Sequence, residues 1–238
     1  MTSAAGVARV REAVDAASAA AWLAAIDAHR AWQERDPVRT PGFNPHSSSL
    51  RAAAVAAFDL EAAARGLLAG EVGALCRSRL GAGLACDVDQ CWVRRQYAPG
   101  RYPGGHAPHA WHQDGALGFD FLNPGPADGE LLSMLTCWIA LTPCGVDAPG
   151  LEFVDRRKRR LLPLSALGDE AVRAGHGESD FVQPVLQAGD ALVFDGGVLH
   201  HTHVRPRMNR DRTSLELRFF AAAQIPFRLR DDRFLLLS

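Results

Sequence analysis

The 238-residue chain contains no apolar run long enough to cross a bilayer, so no membrane-spanning helix is expected. It has little excess charge of either sign. A formal net charge of −1 supplies no general field for drawing in nucleic acid or an anionic membrane surface. The opening stretch "MTSAAGVARVREAVDAASAAAW" carries charges where a secretory signal needs an apolar core, which predicts a protein kept in the cytoplasm. Cysteine is sparse and unpaired in pattern. The five residues Cys76, Cys86, Cys91, Cys137 and Cys144 are odd in number and form no Cys-x-x-Cys. Neither a disulfide framework nor a thiolate zinc site is indicated, and reduced, buried thiols are expected. Internal repeats are absent.

What is present is the composition of an ordinary globular protein, 47% hydrophobic and 22% charged. At this length one elaborated domain over residues 1–238 is expected rather than two. Composition shifts once, near residue 86. Before it, alanine dominates and apolar residues recur at helical spacing: Val7, Val10 and Val14, then Trp22, Leu23 and Ile26. That helix should stop before Pro37, and residues 40–49, "TPGFNPHSSS", read as an irregular loop. A second helical stretch carries Leu60, Ala64, Leu67, Leu68, Val72 and Leu75 on one side.

From 87 to 225 the chain consists of short β-rich runs between Gly- and Pro-rich turns, at 91–97, 131–141, 151–154, 180–186, 191–194 and 213–220. This spacing predicts an antiparallel sandwich or jelly roll, with the helix-rich part (1–86) packed outside it and a short tail at 226–238. The fold class is therefore mainly β with an α-helical N-terminal part.

Two stretches carry candidate chemistry. In "HAPHAWHQDG", His106, His109, His112 and Asp114 fall within nine residues. On a strand, the two-residue period points His112 and Asp114 to one face, where an imidazole and a carboxylate can share a cation. Alone, a His-x-Asp pair is weak. The second stretch, "GDALVFDGGVLHHTHV", reads as a turn, a buried strand, a second turn and then His200, His201 and His203. Two histidines and one carboxylate are the ligand set of non-haem Fe(II) oxygenases, which leave three coordination positions open. A bidentate 2-oxoacid and dioxygen need those positions. The distant carboxylate of such an oxoacid also needs a cation. Arg212 lies twelve residues after His200 at the start of a predicted strand, with Ser214 on the same side two residues on.

With these parts in place the sequence resembles the phytanoyl-CoA dioxygenase family of Fe(II)- and 2-oxoglutarate-dependent oxygenases, over roughly residues 90 to 220. "WHQDG" is similar to the family's first ligand motif, "CWIALTPCGVDAPGLEFV" to its Trp-x-Ala-Leu strand and following loop, and "GDALVFDGGVLH" to its distal histidine motif. The resemblance implies His112, Asp114 and His200 as metal ligands, selecting His200 over its neighbours. It implies Arg212, Ser214 and Trp138 as the 2-oxoglutarate site, and no catalytic side chain beyond the ligands. It implies a double-stranded β-helix, a cupin-like jelly roll, with Fe(II), 2-oxoglutarate and O2 as cofactor and co-substrates. The reaction implied is hydroxylation of an unactivated C–H of a small molecule, with succinate and CO2 released. The Asp114 carboxylate favours hydroxylation, desaturation or ring formation over halogenation, since halogenases leave that position to the halide. Three departures stand out: "DRRKRRLLP" replaces a Pro-Gly-Ser-His turn, the loop after Asp114 is long, and the N-terminal third matches no motif.

The substrate is not named by these residues. Gln96 and Arg94, on one face of "CWVRRQY", are the nominated substrate-binding pair. The basic run Arg156–Arg160 either grips an anionic or carrier-linked substrate or is a solvated loop. His106 and His109 read as loop residues near the entrance, and His201 and His203 as donors around the metal site. The Gly/Pro-rich segments 98–110 and 122–130 are candidate lids. Two other readings remain open: a cupin-like isomerase or ring-cleaving dioxygenase without 2-oxoglutarate, and a non-catalytic ligand-binding jelly roll. Oligomeric state is not legible.

Overall fold

The structure is a computed structural model that describes residues 6–29, 32, 42–102, 106–118, 130–156 and 158–237. In chain order the elements are β1 (Ala8–Val10), α1 (Ala16–Asp27), β2 (Phe43–Asn44), β3 (Ser49–Arg51), α2 (Leu60–Ala69), α3 (Glu71–Leu80), β4 (Leu84–Asp87) and β5 (Trp92–Gln96). They continue with β6 (His112–Gln113), β7 (Met134–Ala140), β8 (Gly150–Val154), α4 (Asp169–Ala174), β9 (Phe181–Val182), β10 (Ala191–Asp195), β11 (Leu199–His203), β12 (Arg212–Ala221) and β13 (Phe234–Leu237). All strand pairs are antiparallel.

A large sheet runs β1-β10-β7-β12-β5-β3-β2, with β4 and β13 joined beside the far half of β12. A smaller sheet, β6-β11-β8-β9, faces it. Alternation along the strands assigns each face. On one side of the large sheet Val93, Cys137, Ile139, Val193, Leu215, Leu217 and Phe219 form a core with Ile26 of α1, Leu67 and Leu68 of α2 and Val72 and Cys76 of α3. On the other side Trp138, Ala140, Leu192 and Phe194 meet Leu151 and Phe153 of the smaller sheet. Each fully buried side chain of this size contributes about 1.5–3 kcal/mol. The helices thus lie outside a two-sheet sandwich, and a jelly roll is the fold.

The helix expected from Val7 onward begins later. Val7, Ala8 and Val10 belong to or flank β1, which pairs with β10 at Ala8↔Val193 and Val10↔Ala191. An edge strand offers these residues a ladder that an isolated helical turn does not. Gly189 makes the junction close: its φ is +89°, its carbonyl accepts from Val14 N–H at 3.1 Å, and a Cβ there would sit 2.2 Å from the Val14 carbonyl oxygen. Arg9 then donates to Asp190 at 2.6 Å. The helix proper starts at the Asp15 cap, whose carboxylate accepts from Ser18 N–H at 2.9 Å. The helix ends at Asp27, where the Ala28 N–H closes the last turn on the Ala24 carbonyl, well short of the stop expected before Pro37.

The second helical stretch is two helices, parted at Gly70, which has an extended backbone. The loop expected at 40–49 contains the β2–β3 hairpin, and β3 pairs with β5 at Ser49↔Arg94. The tail beyond 226 returns as β13 against β4. The run at 180–186 keeps only a two-residue strand, with an isolated bridge from Leu186 to Cys144. No described helix is long and apolar enough to cross a membrane.

Candidate metal centre

The histidine motifs are brought together by one pair of strands. β6 and β11 pair with His112 directly opposite His200, which puts the two imidazoles 4.2 Å apart between ring centres. A tight turn after β6 swings Asp114 in beside them. Asp114 Oδ1 lies 3.6 Å from His112 Nε2 and 4.0 Å from His200 Nε2. The ligand-capable atoms of these three residues all lie within 4.8 Å of one another.

Backbone carbonyls set the ring tautomers. His112 Nδ1 lies 2.8 Å from the Ala110 oxygen and His200 Nδ1 lies 3.0 Å from the Val198 oxygen. With Nδ1 donating, each Nε2 carries its lone pair toward Asp114, as a metal ligand requires. Burial, followed by the proximity of His200, lowers the His112 pKa to about 3 and keeps that ring neutral. Burial works to raise the Asp114 pKa, but Arg218, the two imidazoles and Thr136 outweigh it and hold the carboxyl well below the usual carboxylate range. The Thr136 hydroxyl donates to Asp114 Oδ2 at 2.5 Å, and Arg218 Nη2 donates to Oδ1 at 3.1 Å. Neutral nitrogens and one fixed carboxylate suit a divalent iron ion.

The sequence is matched over residues 3–205 by the profile of the family described as "Phytanoyl-CoA dioxygenase (PhyH)". The chain belongs to this family. The phytanoyl-CoA dioxygenase family is one of Fe(II)- and 2-oxoglutarate-dependent oxygenases, and the enzyme class and cofactors follow from membership. No curated protein matches the chain. Solved structures show the same fold. EctD from S. alaskensis with bound Fe is 17% identical, with a TM-score of 0.65, covering 92% of this chain and 73% of that one. The non-heme alpha ketoglutarate dependent carbocyclase SnoK from nogalamycin biosynthesis is 16% identical, TM-score 0.61, over 98% and 92% of the two chains. The epimerase SnoN of the same biosynthesis is 19% identical, TM-score 0.56, over 91% and 78%.

On the large sheet, facing the triad's sheet across the interior, lies a group of buried donors without partners. β12 alternates Arg212, Ser214, Glu216 and Arg218 inward, and all are buried. Arg212 is 1% exposed, and its guanidinium carbon lies 5.1 Å from the Trp138 ring centre. Its single hydrogen bond, Nη1 to the Gly150 oxygen, is long at 3.4 Å. Arg212 Nε and Nη2, Ser214 Oγ and Trp138 Nε1 are all buried without a hydrogen-bond partner. Burial lowers the Arg212 pKa to about 10, so it stays charged near neutrality. An unpaired buried guanidinium is costly. A carboxylate delivered by a bound dianion would satisfy it, so these residues fit 2-oxoglutarate.

The nominated pair on β5 separates. Gln96 sits opposite Arg212 in the ladder and approaches His106 Nε2 at 2.9 Å through its own Nε2. Arg94 instead opens, with Trp92, Leu117, His109, His112 and Asp114, on a cavity of about 390 Å³ at the metal centre. His109 is packed edge-on against His112, with ring centres 5.1 Å apart.

His201 and His203 do not face the metal centre. Strand alternation turns them to the opposite side of the smaller sheet, where His201 Nε2 meets Glu152 Oε2 at 2.7 Å and His203 accepts from Arg205 at 2.8 Å. They gather with Glu152 within metal-ligand distance, but Arg173 already donates to that carboxylate at 2.9 Å and Gln183 at 2.6 Å. Within the basic run, Arg156 pairs with Asp180 at 3.0 Å. Arg157 and residues 103–105 and 119–129 lie outside the described residues, and with them part of the first candidate lid and nearly all of the second.

Sequence reasoning missed Thr136, Arg218 and Glu216. The signal for the last two was present in the alternation of "RTSLELRF", which sends two charges to the same face as Arg212.

Proposed function

We propose that His112, Asp114 and His200 hold Fe(II), that Arg212, Ser214 and Trp138 hold 2-oxoglutarate, and that the protein hydroxylates an unactivated C–H of a small-molecule metabolite. One observation carries this reading. Three buried side chains on the large sheet present unpaired donors into the interior that the triad enters from the smaller sheet, where a dicarboxylate's far end would complete them. Bound iron and 2-oxoglutarate supply the activation of dioxygen, with release of succinate and CO2. The chain's own residues position and shelter. Arg212 and Ser214 fix the co-substrate's tail, Thr136 and Arg218 hold the Asp114 carboxylate, and the sandwich interior excludes water. EctD is described with 2-oxoglutarate and 5-hydroxyectoine, whereas SnoK and SnoN are a carbocyclase and an epimerase. Hydroxylation is therefore one outcome available to this fold. A cytoplasmic setting belongs to the same reading and is supported by five free, buried cysteines.

A cupin-like isomerase or ring-cleaving enzyme would need the triad but no cation for an oxoacid. The experiment is Fe(II) and 2-oxoglutarate binding without oxygen, followed by succinate release in air. Arg212→Ala should raise the half-saturating 2-oxoglutarate concentration at least about thirtyfold, since truncating a buried charge partner costs about 2 kcal/mol or more. Excess 2-oxoglutarate should partly restore turnover. Indifference of both proteins to 2-oxoglutarate would refute the assignment.

A further inference from the structure

We infer that the cavity at the metal centre selects a compact substrate bearing a single carboxylate, and that Arg94 is the group that grips it. This deepens the preceding reading and rests on it.

Arg94 is more than nine-tenths buried, yet its Nε has no hydrogen-bond partner. Its nearest counter-charge is Glu216 Oε1 at 3.8 Å, beyond hydrogen-bond range. Arg218, its neighbour, is served differently. It donates to Glu216 Oε2 at 3.3 Å, to Asp114 at 3.1 Å and to the Gln90 carbonyl at 3.1 Å. Glu216 is therefore largely committed to Arg218. Arg94 is left with a fork unfilled on the wall of a cavity that also exposes His112 and Asp114.

The charge balance points the same way. Among the described residues, the buried charges on the inner face are Arg94, Arg212 and Arg218 against Asp114 and Glu216. Iron(II) and the 2-oxoglutarate dianion cancel each other. One positive charge remains without an anion, and burying it unpaired is costly. A substrate with one negative charge closes the balance, whereas a phosphate dianion would overshoot. Guanidinium and carboxylate also match in planar fork geometry.

The rest of the wall describes the body of the ligand. Trp92 and Leu117 are apolar, while the Ser47 and Ser49 hydroxyls bond to each other at 2.9 Å. About 390 Å³ is at the small end of ligand sites. A carrier-linked substrate would have to leave its carrier outside.

The test uses the Fe(II)–2-oxoglutarate protein held without oxygen, so that binding is read apart from turnover. The charge-transfer absorption of the iron–oxoacid chelate is recorded first; its absence would sink the cofactor assignment and not this inference. Three matched compact probes are then titrated: 3-phenylpropanoate, 3-phenylpropanamide and phenyl phosphate. The carboxylate should perturb the band and bind at least tenfold tighter than the amide and the phosphate. Arg94→Lys should lose most of that preference while keeping its affinity for 2-oxoglutarate. Arg94→Gln leaves Glu216 paired with Arg218 and brings the buried charges into balance, so it serves as the neutral control and should bind acid and amide alike. Equal binding of acid and amide by the wild-type protein, a preference for the phosphate, or loss of 2-oxoglutarate rather than probe affinity in Arg94→Lys would each overturn the inference.

Discussion

The Thr136 hydroxyl donates to Asp114 Oδ2 at 2.5 Å, which leaves Oδ1 as the carboxylate oxygen turned toward His112 and His200. Thr136 reaches Asp114 from β7, in the opposite sheet, so the two halves of the sandwich meet at this one carboxylate. Thr136→Val keeps the volume and the β-branched shape and removes only this donor. We expect folding to be retained and affinity for Fe(II) to fall about 10- to 100-fold, as when other partners of metal ligands are removed. Titration with Fe(II), or with Co(II) as a stable substitute, checks this. Unchanged affinity would mean that the carboxylate is oriented without Thr136.

Arg218 lies within reach of two buried carboxylates, Asp114 at 3.1 Å and Glu216 at 3.3 Å. Arg218→Met should therefore destabilise the metal-free protein by about 3–5 kcal/mol, the range for breaking a buried ion pair. Much of that loss should return in Arg218→Met/Glu216→Gln, where no carboxylate at position 216 is left without its partner and the net buried charge is that of the wild type. Chemical denaturation of the three proteins decides it; equal losses in the single and double variants would show that packing, not charge, is the cause.

These two residues also mark what could be read from the chain alone. The His112–Asp114 pair, the turn-strand-turn before His200 and the period-two pair Arg212/Ser214 are local patterns, and each is visible in the sequence. The inward charges Glu216 and Arg218 obey the same period, but Leu215, Leu217 and Phe219 between them read as the buried face. Both faces of β12 are in fact buried, one by helices and one by the site, so polarity alone could not rank them. Thr136 had no local signal, since its role depends on a partner in the facing sheet. The same holds for Ser49, in a stretch that reads as loop and lands opposite Arg94 through long-range pairing. His201 and His203 failed for a simpler reason: being next to a ligand in sequence puts a strand residue on the other face.

On that other face, Glu152 accepts from His201 at 2.7 Å, Gln183 at 2.6 Å and Arg173 at 2.9 Å. Burial acts to raise its pKa, but these donors outweigh it and bring it down to about 2, from an ordinary 4.5. The folded state therefore binds this proton less readily than the unfolded state. The stabilisation is fully present above about pH 4.5 and is lost as pH falls toward 2, an effect on the order of 3 kcal/mol. Unfolding free energies measured from pH 6 down to pH 2 should fall less steeply in Glu152→Gln than in the wild type, by up to one proton in the slope. Parallel curves would place the acid sensitivity elsewhere.

The approach of the two ligand-bearing segments gives the last prediction. Gly115, directly after Asp114, donates to the Gly196 carbonyl at 2.9 Å, and its own carbonyl accepts from Leu132 at 3.1 Å. A Cβ on Gly115 would stand 2.7 Å from Leu131 Cδ2 and 2.8 Å from the Gly196 oxygen. The leucine methyl can rotate away, but the backbone oxygen cannot, because Gly196 is tied to Met134 by a 3.2 Å hydrogen bond. Gly115→Ala must then push the Asp114 turn away from the β10–β11 turn, which leads into His200. An ångström of separation at a metal site is costly: we expect on the order of a hundredfold loss of turnover together with weaker Fe(II) binding, while the far core of helices and large sheet is undisturbed. Metal titration paired with thermal unfolding of the metal-free protein separates the two effects. A large drop in apo stability with metal affinity unchanged would show that the close approach serves folding, not the alignment of Asp114 with His200.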